Sequence, residues 1–302
     1  MLTVINYHYV REDFNSKYPS IFGVTPYEFK KQLLLLTNKG EFINPPDLVN
    51  NIDKVLPSKN NYFFVTFDDG LKEQFDLSLP ILDELEIPAV FFVNTLNFEN
   101  KKVSTVHKIH LLRSIIDPEL FLVKINENVK IDFSDADKNK SHAIYRYDTN
   151  LNAELKYILN FKFSFKQQEL IINKMFDNYF DETQVLQDLY MSDQNLQVLG
   201  QKKYLGSHTH SHYPLGLTDS EIIRFELEHS KKYLEKLTDS KINMVSYPYG
   251  TDEVCTDEVS IIAKNTGYNL GFTTKRGSNI GNENHLLLNR FDCNDLPGGK
   301  NS

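Results

Sequence analysis

Tryptophan is absent from the 302 residues, and cysteine occurs only at Cys255 and Cys293. Two cysteines outside any CxxC spacing cannot make the cross-linked frame of a disulfide-stapled secreted domain, so they read as ordinary thiols. Lys and Arg number 33 against 41 Asp and Glu, a formal net charge of -8. That deficit of basic residues excludes the footprint a phosphate backbone requires, and no nucleic-acid partner is expected. No run approaches the roughly 18 apolar residues of a membrane-spanning helix. The opening Met1 to His8 has neither the basic region nor the apolar region of a secretory leader. A cytoplasmic location is the expectation. No tract rich in Gly, Ser or Pro marks a linker, and no internal repeat is present, so one large domain is expected over 1–302.

What is present is an alternation of two periods. Short apolar runs rich in β-branched and aromatic residues recur at Leu2 to Tyr7, Tyr62 to Phe67, Ala89 to Asn94, Tyr204 to Ser207, Met244 to Tyr247, Asn269 to Thr273 and Leu286 to Phe291. Each has the length and composition of a buried strand. Between them, Pro26 to Lys39, Phe75 to Leu85, Asp219 to Leu237 and Asp257 to Thr266 carry apolar residues three and four apart, the period of a helix. Gly40 and Gly267 stand where C-caps are expected. Strands alternating with helices predict an α/β fold on a parallel sheet. Residues 100–200 break this rhythm with polar turns and helical stretches such as Asn152 to Leu159 and Lys166 to Phe176, and read as a helical insertion. The tail from Pro297 reads as frayed.

Three strand ends carry chemistry, and strand C-termini are where parallel α/β sheets build their sites. Val65 to Gly70 ends an apolar run in two adjacent carboxylates, Asp68 and Asp69, which leave the strand in different directions. One can hold a cation while its neighbour faces a bound water, although an Asp-Asp-Gly sequence is also an ordinary turn. Gly206 to His212 follows a second apolar segment with histidines at 208, 210 and 212. If the chain turns helically there, His208 and His212 share one face and His210 looks elsewhere. With Asp69 they form a set of two imidazoles and one carboxylate, which leaves positions open for water and substrate as a catalytic metal site does. The third strand end, Val245 to Gly250, runs into Pro248-Tyr249-Gly250, a turn whose backbone N–H groups can face a reacting carbonyl.

Taken in order, the Thr-Phe-Asp-Asp-Gly strand end, the His-Thr-x-x-His pair and the Pro-Tyr-Gly loop resemble the motifs of the polysaccharide deacetylase family, the NodB-like proteins. Asn6 to Val10 is similar to the family's opening strand, and Ile87 to Val93 to the strand after the first motif. The resemblance covers roughly residues 1–98 and 200–292. It implies a distorted (β/α) barrel with the helical insertion between the first and second metal motifs. It also implies a divalent cation on Asp69, His208 and His212, with Asp68 as general base. Zinc is the first expectation, with Co2+, Mn2+, Fe2+ and Ni2+ accepting the same ligands. The implied activity is hydrolysis of an N-acetyl group from an amino sugar, the oxyanion resting on the cation and the Tyr249 N–H.

The chain departs from the family where an Arg often precedes the Pro-Tyr-Gly loop, since Ser246 stands there. Arg290 is the candidate to orient Asp68 instead. The acid for the leaving amine is His8 or His285, and His8 is preferred because it ends the first strand on the site's rim. Without a leader, a nucleotide-linked, lipid-linked or small free amino sugar is favoured over a wall polymer. Three other readings stand beside this one. They are a sugar deformylase on the same site, a non-catalytic carbohydrate-binding member, and an insertion that serves mainly as a partner or peripheral membrane contact.

Overall fold

The computed structural model describes residues 1–14, 18, 23–145 and 148–301. They divide into two compact units, one of residues 1–14, 23–102 and 186–301, the other built on Val103–Val185. The strands of the first unit are β1 Leu2–Tyr7, β2 Glu41–Phe42, β3 Tyr62–Phe67, β4 Ala89–Val93, β5 Leu205–Ser207, β6 Met244–Ser246, β7 Leu270–Phe272 and β8 Phe291–Asp292. Their order is β7-β6-β5-β4-β3-β1-β8, with β2 beside β3. Every ladder is parallel. A bridge from Phe272 to Leu288, followed by β8 on β1, curls this sheet into a distorted (β/α) barrel.

The helices of this unit are α1 Pro26–Thr37, α2 Pro45–Val55, α3 Leu79–Glu84 and α4 Thr95–Glu99. Beyond the second unit follow α5 Asp193–Gln201, α6 Ser220–Thr238 and α7 Asp257–Thr266. Thr25 caps α1 in a reciprocal box with Glu28, and Asp219 and Thr256 cap α6 and α7 through their side chains. Gly267 ends α7 in the left-handed conformation, as expected. Gly40 does not cap α1, because Asn38 ends that helix in the right-handed region. Before α3 the chain takes one π-type turn over Gln74–Ser78. Pro80 in the turn that follows supplies no N–H for a regular helical bond.

The strands read as unbroken apolar runs because both their faces are covered. Leu2, Val4, Phe64, Val90, Phe92, Met244, Leu270 and Phe272 form the barrel interior, joined by Leu48, Ile52 and Val55 of α2. Alternate residues, Ile5, Tyr7, Val65, Phe67, Phe91, Val93 and Val245, pack outward with the helix layer. Helix α2 has no counterpart among the sequence expectations. Its apolar positions at 48, 52 and 55 are too few to stand out beside the Asn and Asp residues around them.

The expected strand over Leu286 to Phe291 is a correction, since only Phe291–Asp292 is strand. Asn279 takes both backbone groups of Asn289 with its side chain, so the ladder cannot run through that position. The tail is also held, with Gly299 N–H donating to Leu296 and Asn301 N–H to Asn294; Ser302 lies outside the described residues. In the second unit, the helix Thr105–Ile115 carries the buried Lys108, whose ammonium meets Glu182 and, on the helix Phe165–Phe176, Asn173, each at 2.7 Å. Among the described residues no helix is long and apolar enough to cross a membrane.

Gly70 ties the first motif to the barrel. Its φ is +66°, and an added Cβ would stand 2.8 Å from Val93 Cγ1. Gly70→Ala is therefore expected to cost about 2–4 kcal/mol, from the left-handed conformation and the overpacking together. The midpoint of urea unfolding checks this, and an unchanged midpoint would show that the motif relaxes freely.

Candidate metal centre and active site

The alternation of the strands sets which side chains can meet. Continuing the inward series Phe64, Thr66 places Asp68 at the mouth of β3. The same count places Asn94 after β4 and His208 after β5 there too. Leaving the strand, Asp69 takes a φ of +79°, which turns its carboxylate away from the regular alternation. Thr209 and His212, at +65° and +60°, do the same for the histidine loop, and Tyr249 at +64° for the third loop. Four non-glycine residues in the left-handed region at one site store strain of about 1–3 kcal/mol each. This, and not a helical turn, brings His212 back beside His208, since residues 208–212 contain no helix.

Asp69, His208 and His212 are buried and offer one ligand atom each, all within 4.8 Å of one another. Asp69 Oδ1 lies 3.6 Å from His208 Nε2 and 3.5 Å from His212 Nε2. These spacings exceed a hydrogen bond. They match the roughly 3.3–3.6 Å between two donors that share an ion at 2.0–2.2 Å in near-tetrahedral geometry. The donor chemistry agrees. His208 Nδ1 stands 2.7 Å from the Ser246 carbonyl, which can only accept, so the proton is on Nδ1 and Nε2 presents its lone pair. Ser246 thus orients His208 through its backbone carbonyl.

Asp68 sits beside this triad, 2% exposed, and Arg290 is 1% exposed. The guanidinium donates to both carboxylate oxygens, at 2.9 and 2.7 Å, and a third N–H goes to the Thr273 carbonyl at 2.7 Å. Burial pushes the Asp68 carboxyl up. The Arg290 guanidinium, through its charge and its hydrogen bonds, with a further pull from His8, outweighs it and holds the group well below the usual carboxylate range. His8 Nε2 is 3.9 Å from Asp68 Oδ2, and its side chain remains 38% exposed. His285 is elsewhere, 3.6 Å from Asp53 of α2. The Tyr249 ring stands edge-on to His212 with centroids 5.1 Å apart, and its carbonyl accepts from Thr274 at 2.9 Å.

Three residues that support this arrangement have no strong sequence signal. Gln74, fully buried, donates to the carbonyls of His8 and Asp68 at 2.7 and 2.6 Å, joining two strand ends. Asn94 donates to the His208 carbonyl. Glu226 of α6 accepts from the N–H groups of His210 and Ser211 at 2.9 and 2.7 Å, and so pins the histidine loop. Gln74 and Glu226 stand among other charged residues and Asn94 at a strand end, so only burial, which the local sequence does not disclose, sets them apart.

The family model described as polysaccharide deacetylase matches residues 56–117 and 179–271. Those stretches contain Asp68, Asp69, His208, His212 and Tyr249, and not His8 or Arg290. No curated protein sequence matches the chain at a significant level. Among solved structures, the deacetylase PplD of Streptococcus pyogenes in complex with acetate is similar with a TM-score of 0.56 and 18% identity, over 96% of this chain and 91% of that one. IcaB of Ammonifex degensii gives 0.57 and 16% over 96% and 90%. The BpsB deacetylase domain of Bordetella bronchiseptica gives 0.55 and 16% over 96% and 95%. At such identities the likeness is one of fold.

Proposed function

Because the chain belongs to the polysaccharide deacetylase family, we propose that it hydrolyses the N-acetyl group of an amino sugar with one divalent cation on Asp69, His208 and His212. The observation that carries the reading is the Asp68 carboxylate, clamped bidentately by Arg290 beside three converging metal donors. A cation bound there supplies Lewis acidity, acidifying a water and polarising the amide carbonyl. Asp68 accepts the proton of the attacking water, and Arg290 keeps it ionised and aimed. His8 donates a proton to the departing amine nitrogen, while the Tyr249 N–H is the backbone donor assigned to the oxyanion. As the C–N bond breaks, the nitrogen keeps the proton from His8 and the acyl carbon keeps the oxygen of the water, giving free amine and acetic acid; Asp68 then releases its proton to solvent and His8 regains one.

Zinc suits two imidazoles and a carboxylate, and Co2+, Mn2+, Fe2+ and Ni2+ accept the same set. A non-catalytic reading gained its force from the missing Arg before Pro248. Arg290 on Asp68 supplies a guanidinium at the carboxylate from the residue just before β8, which favours turnover. The substrate class is a carbohydrate bearing N-acyl amino sugars.

The test is an acetate-release assay on N-acetylated amino-sugar oligomers and sugar nucleotides, with protein stripped by chelator and then reloaded. Acetate release that disappears on stripping and returns with Zn2+ or Co2+ supports the reading. Formate released in preference from N-formyl analogues favours a deformylase, and release indifferent to stripping sinks the metal-dependent mechanism.

A further inference from the structure

His210, between the two ligand histidines, faces away from them into a second cluster. Its Nδ1 is 2.8 Å from Thr95 Oγ1 and 3.9 Å from Glu99 Oε2, both on α4. Glu99 Oε2 in turn lies 2.6 Å from Nε2 of His229, on α6. One ligand atom from each of Glu99, His210 and His229 falls within 4.8 Å of the others. The two imidazoles meet edge to face with centroids 4.7 Å apart, and His229 stacks on Phe225 at 4.9 Å. Their rings are thus oriented before any ligand arrives. His210 is buried, whereas His229 and Glu99 keep about a third of their side chains exposed, at 36% and 35%. That leaves an open side for an ion to enter and for Glu99 to swing into position.

We propose that Glu99, His210 and His229 form a second, outer site for an imidazole-preferring divalent cation such as Zn2+, distinct from the Asp69 centre. Two imidazoles and one carboxylate select borderline transition metals over Mg2+ and Ca2+, which favour oxygen. The ion would replace the Glu99–His229 hydrogen bond with two metal bonds and join α4, α6 and the histidine loop. Because the same loop carries His208 and His212, occupancy of the outer site would restrain the ligands of the inner one. The purpose assigned to it is structural, a clamp on the rim.

The experiment uses the untagged full chain, stripped by chelator and titrated with Zn2+ alone, with stoichiometry read by native mass spectrometry and by calorimetry. Wild type is expected to bind two equivalents, His229→Ala one, and His208→Ala one, with neither site left in the double variant. Glu99→Gln should weaken the outer equivalent at least about tenfold, as loss of a charged ligand does. His229 and Glu99 are partly exposed, so circular dichroism should show both variants folded. A single equivalent in wild type, lost in His208→Ala, would overturn the outer site and leave the inner one standing. Two equivalents retained in both His229→Ala and Glu99→Gln would also overturn it. Loss of only the inner equivalent in His208→Ala, without effect on acetate release, would instead count against the proposed function.

Discussion

Asp68→Asn is expected to lower kcat for acetate release by about 10²–10⁴-fold, the range of a lost general base, while leaving the bound-cation content unchanged. The second half of the expectation is as informative as the first. Asp68 is adjacent in sequence to Asp69, the proposed ligand, yet the chain turns at Asp69 and separates their surroundings: one carboxylate faces two imidazoles, the other a guanidinium. Asparagine keeps the size and one acceptor oxygen, so the Arg290 contact survives in part. What it removes is the capacity to take a proton. Asp69→Asn is the control, which should lose the cation and turnover together. Turnover by Asp68→Asn within a few fold of wild type would remove Asp68 from the mechanism. Loss of metal from the same variant would place it among the ligands.

Arg290→Met should destabilise the fold by about 3–5 kcal/mol, because a buried carboxylate loses its counter-ion while staying out of water. With an unfolding entropy of about 2.1 cal/mol/K per residue, that corresponds to a fall in Tm of roughly 5–8 °C. Activity should fall as well, since Asp68 would lose both its charge partner and its aim. Arg290→Lys keeps a positive charge and forfeits the fork that meets both oxygens at 2.9 and 2.7 Å, so it should lie between the two. The decisive member is the double variant Asp68→Asn/Arg290→Met. If the cost comes from a stranded buried charge, removing both partners should recover much of the lost stability. A double variant no more stable than Arg290→Met would assign the loss to packing around a fully buried side chain, and the electrostatic account of Arg290 would fail.

Burial here works in two directions. Desolvation alone would push the Asp68 carboxyl up, toward a neutral acid unable to accept a proton; the Arg290 guanidinium reverses this. By contrast, burial and the neighbouring His229 drive the His210 imidazole down to about 4, against the pull of Glu99. Two histidines two residues apart on one loop therefore sit in different electrostatic surroundings, one facing Asp69 and one facing Glu99.

Much of this was legible in the chain. The apolar runs at 2–7, 62–67 and 89–93 are strands nearly as read, because strands covered on both faces must be apolar at every position. The Asp-Asp-Gly and His-x-x-x-His segments announce themselves because donor residues crowded at strand ends have few packing explanations. Arg290 was nameable as a candidate partner for Asp68, but no local signal distinguishes it from a surface arginine. The contact spans 222 positions and exists only because β8 returns beside β1.

By itself, then, the sequence determined the parallel α/β alternation, the inserted helical stretch and the residue types of the proposed cation site, since each follows from local period or from neighbours in the chain. Tertiary structure alone decided that Asp69 meets two imidazoles through left-handed turns, that Gln74, Asn94 and Glu226 brace the loops, and that Glu99 and His229 gather around His210. Such meetings depend on strand register and on the curling of the sheet, quantities summed over the whole fold that no short window of residues encodes.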